Sequence, residues 1–270
     1  MRLTGKIAVV TGAGVGVGKG IEEELGKEGA DLAVADINRE WGERTAAELR
    51  KSGRRAIFVQ ADVSNRPDIE RMVATCVREL AGLDILVNNV GISRATPFID
   101  LTDETWDLVM NTNLKSAFMG SQAVARYWIA NKRQGRIINI SSTDEQLPYP
   151  FIVAYCSSKA GMNMLTKTTA LALAEHGINV NSIAPGLVES EMTRKQMGDP
   201  AYMAVLPARV ALARMGRPSE IGRAAVFFAS SDSDYVTGTT LLVDGGHVIT
   251  PAWQVITKFR EHLRAAGQPK

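Results

Sequence analysis

Cysteine and histidine are scarce in this 270-residue chain, which contains two of the former and three of the latter. Cys76 and Cys156 are too few for a disulfide framework, so a reduced, cytoplasmic setting is expected. No signal-peptide pattern precedes the first apolar run, in agreement with that expectation. The histidines, at positions 176, 247 and 262, lack the spacing of metal ligands, and no metal site is predicted.

The sequence also lacks long hydrophobic runs and a strong net charge. No apolar run approaches the ~18 residues that a membrane-spanning helix requires, so no membrane partner is expected. The formal net charge is +2, and scattered basic residues give no reason to expect a nucleic-acid partner. An apolar content of 45 % is ample for a core. These limits favour a globular protein that acts on a small molecule.

Short apolar runs alternate with helical stretches along the chain, without a break in composition. The runs predicted as strands are 7–10, 32–35, 56–59, 84–87, 136–140, 178–183 and 240–243. One long helix is predicted over 103–131 and another over 219–230. The alternation predicts one α/β domain, a doubly wound (Rossmann) sheet of about seven parallel strands with helices on both faces. We expect this domain to span 1–246 and residues 247–270 to form an extension.

A glycine-rich turn follows the first predicted strand and opens a helix. The sequence TGAGVGVG, from Thr11 to Gly18, has the glycines that let a backbone approach a pyrophosphate at a helix N-terminus. The second predicted strand ends at Asp36, which follows Gly12 by 24 residues. An acidic residue there hydrogen-bonds the adenosine ribose and repels a 2′-phosphate. The turn therefore predicts a dinucleotide cofactor, NAD in preference to NADP, although Arg39 could soften that choice.

Tyr155 and Lys159 are four residues apart on a predicted helix and therefore share a face. At ~4 Å and an effective dielectric of ~20, their attraction is about 4 kcal/mol, which predicts a tyrosine pKa lowered from about 10 toward about 7. Such a phenol is a general acid/base at neutral pH. Because the pair arises by chance in about one such protein in five, an exposed helix face is the competing interpretation.

Seven motifs carry a resemblance to the short-chain dehydrogenase/reductase family, from Leu3 to about Gly246. They are Thr11-Gly12-x-x-x-Gly16-x-Gly18, Asp62-Val63, Asn88-Asn89-Val90-Gly91, Asn111-Thr112-Asn113-Leu114, Ile140-Ser141-Ser142, Tyr155-x-x-x-Lys159 and Pro185-Gly186. The chain departs from the family at Val90, where alanine is usual, and at Ser190, where threonine is common.

The resemblance implies a role for each matching residue. Tyr155 is implied as the general acid/base, Lys159 as the group that lowers its pKa and holds the nicotinamide ribose, and Ser142 as a hydrogen-bond partner of the substrate oxygen. Asn113 is implied in a proton relay through water. The implied cofactor groove consists of Gly12, Val15, Gly16, Val17, Gly18, Asp36, Asp62, Val63, Asn89, Gly91, Tyr155, Lys159, Pro185, Gly186, Val188 and Ser190.

The segment after Ser142 is unusually polar for a loop beside a catalytic serine. It is similar to a segment of the sugar-oxidising branch of the family, such as the glucose 1-dehydrogenases, although a histidine usual there is Asp144 here. Buried polar groups need partners, which a polyhydroxylated substrate would supply. The candidate substrate residues are Ser93, Ser142, Asp144, Glu145, Tyr149 and Met192. The competing interpretation is that Asp144 and Glu145 cap a loop in solvent.

Together these patterns predict an NAD(H)-dependent oxidoreductase that interconverts a secondary alcohol and a carbonyl, on a sugar or polyol. A 3-oxoacyl-thioester or general ketone reductase is the alternative. An inactive NAD-binding regulatory protein is a remote one, because the Tyr, Lys and Ser motif residues are all present.

The segment after Gly246 has the pattern of an amphipathic helix. Thr250-Pro251 is a helix-start signal, and Trp253, Ile256, Phe259 and Leu263 follow as one apolar stripe. This stripe is expected to pack on its own domain or at a subunit interface. Since members of the family are commonly tetramers, a homotetramer is expected.

Overall fold

The computed structural model describes residues 1–250, apart from five side chains between positions 195 and 207. Seven parallel strands form one sheet in the order β3-β2-β1-β4-β5-β6-β7. The strands are β1 (Ile7–Thr11), β2 (Asp31–Asp36), β3 (Ala56–Gln60), β4 (Ile85–Asn88), β5 (Gly135–Ile140), β6 (Ile178–Pro185) and β7 (Thr240–Val243). The prediction of a doubly wound sheet is confirmed.

Helices connect the strands and cover both faces of the sheet. They are α1 (Gly16–Lys27), α2 (Arg39–Lys51), α3 (Arg66–Leu80), α4 (Asp103–Met110), α5 (Ser116–Ala130), α6 (Val153–Leu173), α7 (Arg194–Met197), α8 (Pro200–Arg209) and α9 (Pro218–Ala229). Within the described residues, no helix is long and apolar enough to cross a membrane.

Buried strands divide the core into two layers. Every residue of β1 is buried, as expected for a strand covered on both faces. Because neighbouring side chains point to opposite faces, Val10 packs with Leu25 of α1 in one cluster. Val9 packs with Met72 of α3 in the other. The sheet is thereby covered on both faces, and its carboxyl edge carries the side chains described below.

The long helix predicted over 103–131 is interrupted in the structure. A π-helical turn over Asn111–Lys115 separates α4 from α5. In this turn the buried Asn113 donates from Nδ2 to Ser158 Oγ at 3.0 Å, and its side-chain oxygen accepts from the Ile92 N–H at 2.8 Å. A π turn carries an extra residue, and such turns occur frequently at functional sites. A continuous α-helical pattern could not reveal it, since the apolar spacing is kept on either side.

The predicted amphipathic extension lies almost entirely outside the described residues. Residues 244–250 form turns in which Asp244 accepts from the N–H groups of Gly246 and Val248, at 2.9 and 2.8 Å. Thr250, the last described residue, donates to the Gly246 carbonyl at 2.6 Å. Its packing surface therefore remains a prediction.

Candidate active site

One cleft of about 740 Å³ opens at the carboxyl edge of the sheet. This is where open parallel sheets bind ligands. Sixteen predicted residues line it, namely Gly12, Val15, Gly16, Val17, Gly18, Asn89, Gly91, Ser93, Ser142, Tyr155, Lys159, Pro185, Gly186, Val188, Ser190 and Met192. The structure therefore brings together residues that are up to 180 positions apart in the sequence (12 to 192).

Seven other predicted residues are not in the lining of this cleft: Asp36, Asp62, Val63, Asn113, Asp144, Glu145 and Tyr149. Asp62 caps its own turn, since its Oδ1 accepts from the Ser64 N–H and hydroxyl at 2.9 and 2.7 Å. Val63 is buried in the core. The predicted places of Asp62 and Val63 beside adenine are thus not seen in the cleft lining.

The glycine-rich turn has the backbone that close approach to an anion requires. Gly16 has φ = +60°, a conformation that side chains disfavour. A Cβ on Gly18 would lie 2.6 Å from the Asn89 side chain, so this position has no room for one. Helix α1 begins here with no side-chain cap at Val15 and no acidic residue in its first turn. The uncapped backbone N–H groups and the helix dipole therefore suit a pyrophosphate.

Asn89 holds this turn to the neighbouring strand. Its side-chain amide donates to the carbonyls of Thr11 and Gly12, at 2.9 and 3.2 Å. Its backbone N–H donates to the Thr11 hydroxyl at 3.0 Å. The residue therefore fixes β1 and β4 relative to each other at the floor of the cleft.

Asp36 ends β2 and is buried beside the glycine-rich turn. Its Oδ2 accepts from the Gly14 N–H at 2.9 Å, and its Oδ1 accepts from the Asn38 N–H at 2.8 Å. Each oxygen retains a second lone pair, so the carboxylate can also accept from a ribose hydroxyl. Sequence reasoning chose this residue for that role, and the hydrogen bonds hold its carboxylate beside the turn.

Lys159 and Tyr155 project from the first turns of α6. Lys159 Nζ lies 5.6 Å from the centroid of the Tyr155 ring and donates to the Ile140 carbonyl at 2.8 Å. The lysine is buried, and this burial lowers its pKa to about 8. The prediction that the two side chains share a microenvironment agrees with this geometry.

The sequence predicted a lowered pKa for Tyr155, but its surroundings in the structure raise that pKa. Loss of hydration around the phenol raises its pKa, and the nearby Asp144 carboxylate raises it further. A hydrogen bond from Ser142 opposes the increase. Sequence spacing identified the lysine but could not show how dry the site is or that a carboxylate faces the phenol.

Ser142 lies between Tyr155 and Asp144. It is buried at the end of β5, and its Oγ accepts from the Asp144 N–H at 3.1 Å. Burial raises the pKa of Asp144 to about 6, while hydrogen bonding to Ser142 and the charges of Arg209 and Lys159 act in the opposite direction. Asp144 is therefore an ionisable neighbour of the catalytic candidates rather than a solvent-exposed loop cap.

Glu145, a predicted substrate residue, is not in the lining of the cleft, and its carboxylate is held by other residues of the chain. Its Oε2 accepts from the Ser141 hydroxyl at 2.6 Å, and its Oε1 accepts from Asn163 of α6 at 2.6 Å. Ser141 also donates to the Lys159 carbonyl at 3.2 Å. Glu145 thus joins the loop to α6, and the chain itself supplies the hydrogen-bond partners that its carboxylate needs.

Tyr149 contacts two residues that sequence reasoning missed. Arg209 donates to the Tyr149 hydroxyl at 2.7 Å, and His247 Nε2 lies 3.4 Å from the same oxygen. His247 is also buried, and this burial lowers its pKa. No local pattern links positions 149, 209 and 247; they meet because the loop after β5, α8 and the end of β7 share one edge of the fold. Among the described residues, no cluster of His, Cys, Asp or Glu could hold a metal ion.

A family model described as enoyl-(acyl carrier protein) reductase, of the short-chain dehydrogenase type, matches residues 12–248. The chain belongs to the short-chain dehydrogenase/reductase family. Its resemblance by motif is therefore confirmed, and the protein is a nicotinamide-dependent oxidoreductase that acts on a small-molecule substrate.

Relatives within this family carry different activities in their names. The chain is 37 % identical over 253 residues to 3beta-hydroxysteroid dehydrogenase 1 of Eggerthella lenta (93 % of this chain and 97 % of the relative). It is 36 % identical over 256 residues to glucose 1-dehydrogenase 2 of Bacillus subtilis (93 % and 97 %). It is 37 % identical over 247 residues to 5-keto-D-gluconate 5-reductase of Escherichia coli K12 (92 % and 97 %).

Solved structures of family members superpose on the whole of the sheet domain. A gluconate 5-dehydrogenase from Burkholderia cenocepacia, in complex with NADP and tartrate, matches with a TM-score of 0.86 and 37 % identity (91 % of this chain and 96 % of that one). A putative gluconate dehydrogenase from Agrobacterium tumefaciens matches with a TM-score of 0.87 and 35 % identity (92 % and 97 %). The described part of this oxidoreductase thus shares its architecture with proteins named for sugar acids.

Proposed function

We propose that Tyr155, Ser142, Lys159 and Asn113 carry out the proton transfer of an alcohol–carbonyl interconversion. The observation that carries this proposal is the convergence of Tyr155, Ser142 and Lys159 on one cleft beside a glycine-rich turn suited to pyrophosphate. When bound, the nicotinamide cofactor supplies the hydride chemistry. The protein's own groups then hold the substrate oxygen and move its proton.

Tyr155 is the group that exchanges a proton with the substrate oxygen. Its phenol faces the cleft, and Ser142 is the neighbouring hydroxyl that donates a hydrogen bond to the same oxygen. Such donors stabilise negative charge that develops on the oxygen, which is often the largest contribution to catalysis. Burial and the Asp144 charge raise the pKa of Tyr155. Tyr155 therefore needs a nearby positive charge before it can act as a base near neutral pH. Lys159, whose Nζ lies 5.6 Å from the centroid of the Tyr155 ring, supplies that charge.

Asn113 has a positioning role in this proposal. Its side-chain amide is held by Ile92 and Ser158, which lie after β4 and inside α6. Ser158 in turn donates to the Tyr155 carbonyl at 2.7 Å. The amide therefore orients the segments that carry Gly91 and Tyr155, and the predicted relay through water would start from this fixed point.

The substrate is proposed to be a sugar or polyol. Two of the relatives named above act on glucose or a keto-gluconate, and a structural neighbour contains tartrate. The cleft offers hydroxyl groups from Ser93, Ser142 and Ser190, together with the Arg94 side chain, as partners for substrate hydroxyls. The competing class is a hydrophobic ketone or hydroxyacyl thioester, for which the steroid-named relative and the family description are precedents.

NAD is the proposed cofactor, in preference to NADP. A 2′-phosphate beside Asp36 would meet a buried carboxylate, which is repulsive. Arg39 lies nearby in sequence but contacts Gln60 at 3.3 Å and Glu43 at 4.0 Å, so its charge is partly balanced. The NADP-bound neighbours make this preference a matter for direct measurement.

The organisation proposed for the whole chain is a domain over 1–246 with a helical extension over 247–270, assembled as a cytoplasmic homotetramer. Large exposed apolar side chains lie along one pair of helices, Phe118 and Ile129 on α5 and Met164 and Leu171 on α6. Exposed apolar faces of this kind support an interface. Both cysteines are free thiols, which suits a reducing compartment. Light scattering of the full chain and of a chain truncated after Gly246 tests the assembly.

The function is tested by following NAD and NADP reduction at 340 nm across four substrate classes. These are polyols and aldoses, aldonic acids, hydroxysteroids, and 3-hydroxyacyl thioesters. The proposal expects turnover of a polyhydroxylated substrate and a kcat/KM for NAD that exceeds that for NADP. Turnover of thioesters or steroids alone would contradict the substrate class, and no turnover of any alcohol with NADH binding retained would contradict the reaction.

A further inference from the structure

Trp41 lines the same cleft as the catalytic candidates but lies on the first turn of α2, close to Asp36. It is 39 % exposed, although tryptophan is a large apolar side chain that is usually well covered. Trp41 is not a member of the buried core clusters of the described residues. An indole exposed inside a ligand cleft has a face available to a planar partner.

The position of Trp41 is fixed against the glycine-rich turn. A Cβ placed on Gly14 would lie 2.7 Å from Trp41 Cβ and 2.9 Å from Asp36 Oδ2, so the side chains of Trp41 and Asp36 close on Gly14 together. The Thr45 hydroxyl, one turn further along α2, donates to the Gly14 carbonyl at 2.9 Å. The Trp41 N–H donates to the Asn38 side-chain oxygen at 3.0 Å, which caps the helix. Trp41 is therefore held beside the carboxylate that is placed to bind a ribose.

We propose that the Trp41 indole is a binding surface for the adenosine half of the cofactor. The proposal rests on the dinucleotide function described above and adds a residue that the glycine and aspartate motifs do not include. A nucleobase has an apolar face that stacks on aromatic side chains, and such contacts are tolerant of small shifts in position. Asp36 receives the ribose hydroxyl from one side, and Trp41 covers the adenosine from the other.

The experiment measures binding by isothermal titration calorimetry, with NADH and with ADP-ribose, which contains the adenosine and pyrophosphate but no nicotinamide. The variants are Trp41→Ala and Trp41→Phe, and Trp106→Phe on α4 is the matched control because Trp106 does not line the described cleft. Trp41→Ala is expected to lower the affinity for both ligands by the same factor. That factor is at least about fivefold, the lower limit for base stacking on an aromatic side chain. Trp41→Phe is expected to restore most of that affinity.

Tryptophan fluorescence gives a second readout. ADP-ribose lacks the nicotinamide absorbance, so its effect on emission reports contact with the indole rather than energy transfer. Quenching is expected in the wild-type protein and in the Trp106→Phe variant, and loss of quenching is expected in Trp41→Phe.

Unchanged affinity for NADH and ADP-ribose in Trp41→Ala would overturn the inference. Equal losses in Trp41→Ala and Trp41→Phe would also overturn it, because the aromatic face would then not be the binding group. A wild-type protein that binds neither ligand would instead overturn the dinucleotide function itself, so the two failures are distinguishable.

Discussion

Lys159 Nζ lies 5.6 Å from the centroid of the Tyr155 ring, and both side chains line the same cleft. The buried ammonium is anchored by the Ile140 carbonyl at 2.8 Å, so its position does not depend on a ligand. Its pKa of about 8 lies near neutral pH, where it is mostly charged. The pair therefore provides a fixed cation beside a phenol whose own surroundings disfavour ionisation.

Replacement of Lys159 by Met should remove this cation and make the Tyr155 phenol still harder to ionise. The kcat for alcohol oxidation is expected to fall by about 10²-fold or more, as for loss of one catalytic charge. Lys167→Met, on the exposed face of the same helix, is the control and should behave as the wild type. A Lys159→Met enzyme with wild-type kcat would show that the cation has no part in proton transfer.

Ser142→Ala should remove one donor to the substrate oxygen. The expected loss in kcat is about 10²- to 10³-fold, the range for a single donor to a developing oxyanion. Affinity for NADH should stay within about twofold, measured by fluorescence titration, since the cofactor does not need this hydroxyl. A loss in NADH affinity as large as the loss in kcat would assign Ser142 to cofactor binding instead.

Asp144→Asn tests whether the carboxylate acts on Tyr155. With a pKa of about 6, Asp144 is anionic above that pH, and its charge raises the pKa of Tyr155. Removing the charge lowers the phenol pKa, so the acidic limb of kcat/KM for alcohol oxidation should move to lower pH. A profile recorded from pH 5 to 10 that coincides with the wild type would contradict the coupling.

The same substitution should have a pH-dependent effect on stability. The folded-state pKa of Asp144 is about 6, above the ordinary value of about 3.9, so the folded protein holds this proton more tightly than the unfolded chain. The contribution of this proton to the free energy of unfolding is fully present below about pH 4 and is lost as the pH rises through about 6. The free energy of unfolding of Asp144→Asn should therefore exceed that of the wild type by up to about 2 kcal/mol at pH 8 and equal it at pH 4. Urea unfolding at both pH values measures this, and a gain that is equal at the two would refute the assignment.

Asn113→Ala should leave the N–H and carbonyl of the partly buried Ile92 without their side-chain partners. The expected loss in the free energy of unfolding is about 2–4 kcal/mol, from two unsatisfied groups. A stability within about 0.5 kcal/mol of the wild type for Asn113→Ala would mean that water replaces the amide.

The sequence was most informative for features formed by residues that are close together along the chain. Strand, glycine turn and helix are consecutive from Ile7 to Lys27, and the Tyr155 and Lys159 spacing defines a helix face, so both could be predicted. The sheet followed from alternating apolar runs. Within residues 1–250, the π turn around Asn113 interrupts a predicted helix, because one extra residue leaves the flanking apolar spacing intact.

Contacts between distant segments could not be predicted in this way. Asn88 donates to Asn139 at 2.9 Å, and Asn139 donates to Thr166 at 2.9 Å, which links β4, β5 and α6 beneath the site. The partners of Glu145 and Tyr149 likewise come from other elements. The direction of the Tyr155 pKa shift was wrong for the same reason, since spacing reveals the cation but neither the dehydration nor the Asp144 charge.

The most direct test of the account is the turnover of Tyr155→Phe on the polyhydroxylated substrate that the wild type oxidises, with NADH affinity measured in parallel. The account predicts that kcat falls by about 10²- to 10⁴-fold while NADH still binds, because only the phenolic hydroxyl has been removed. Undiminished turnover by the phenylalanine variant would contradict it.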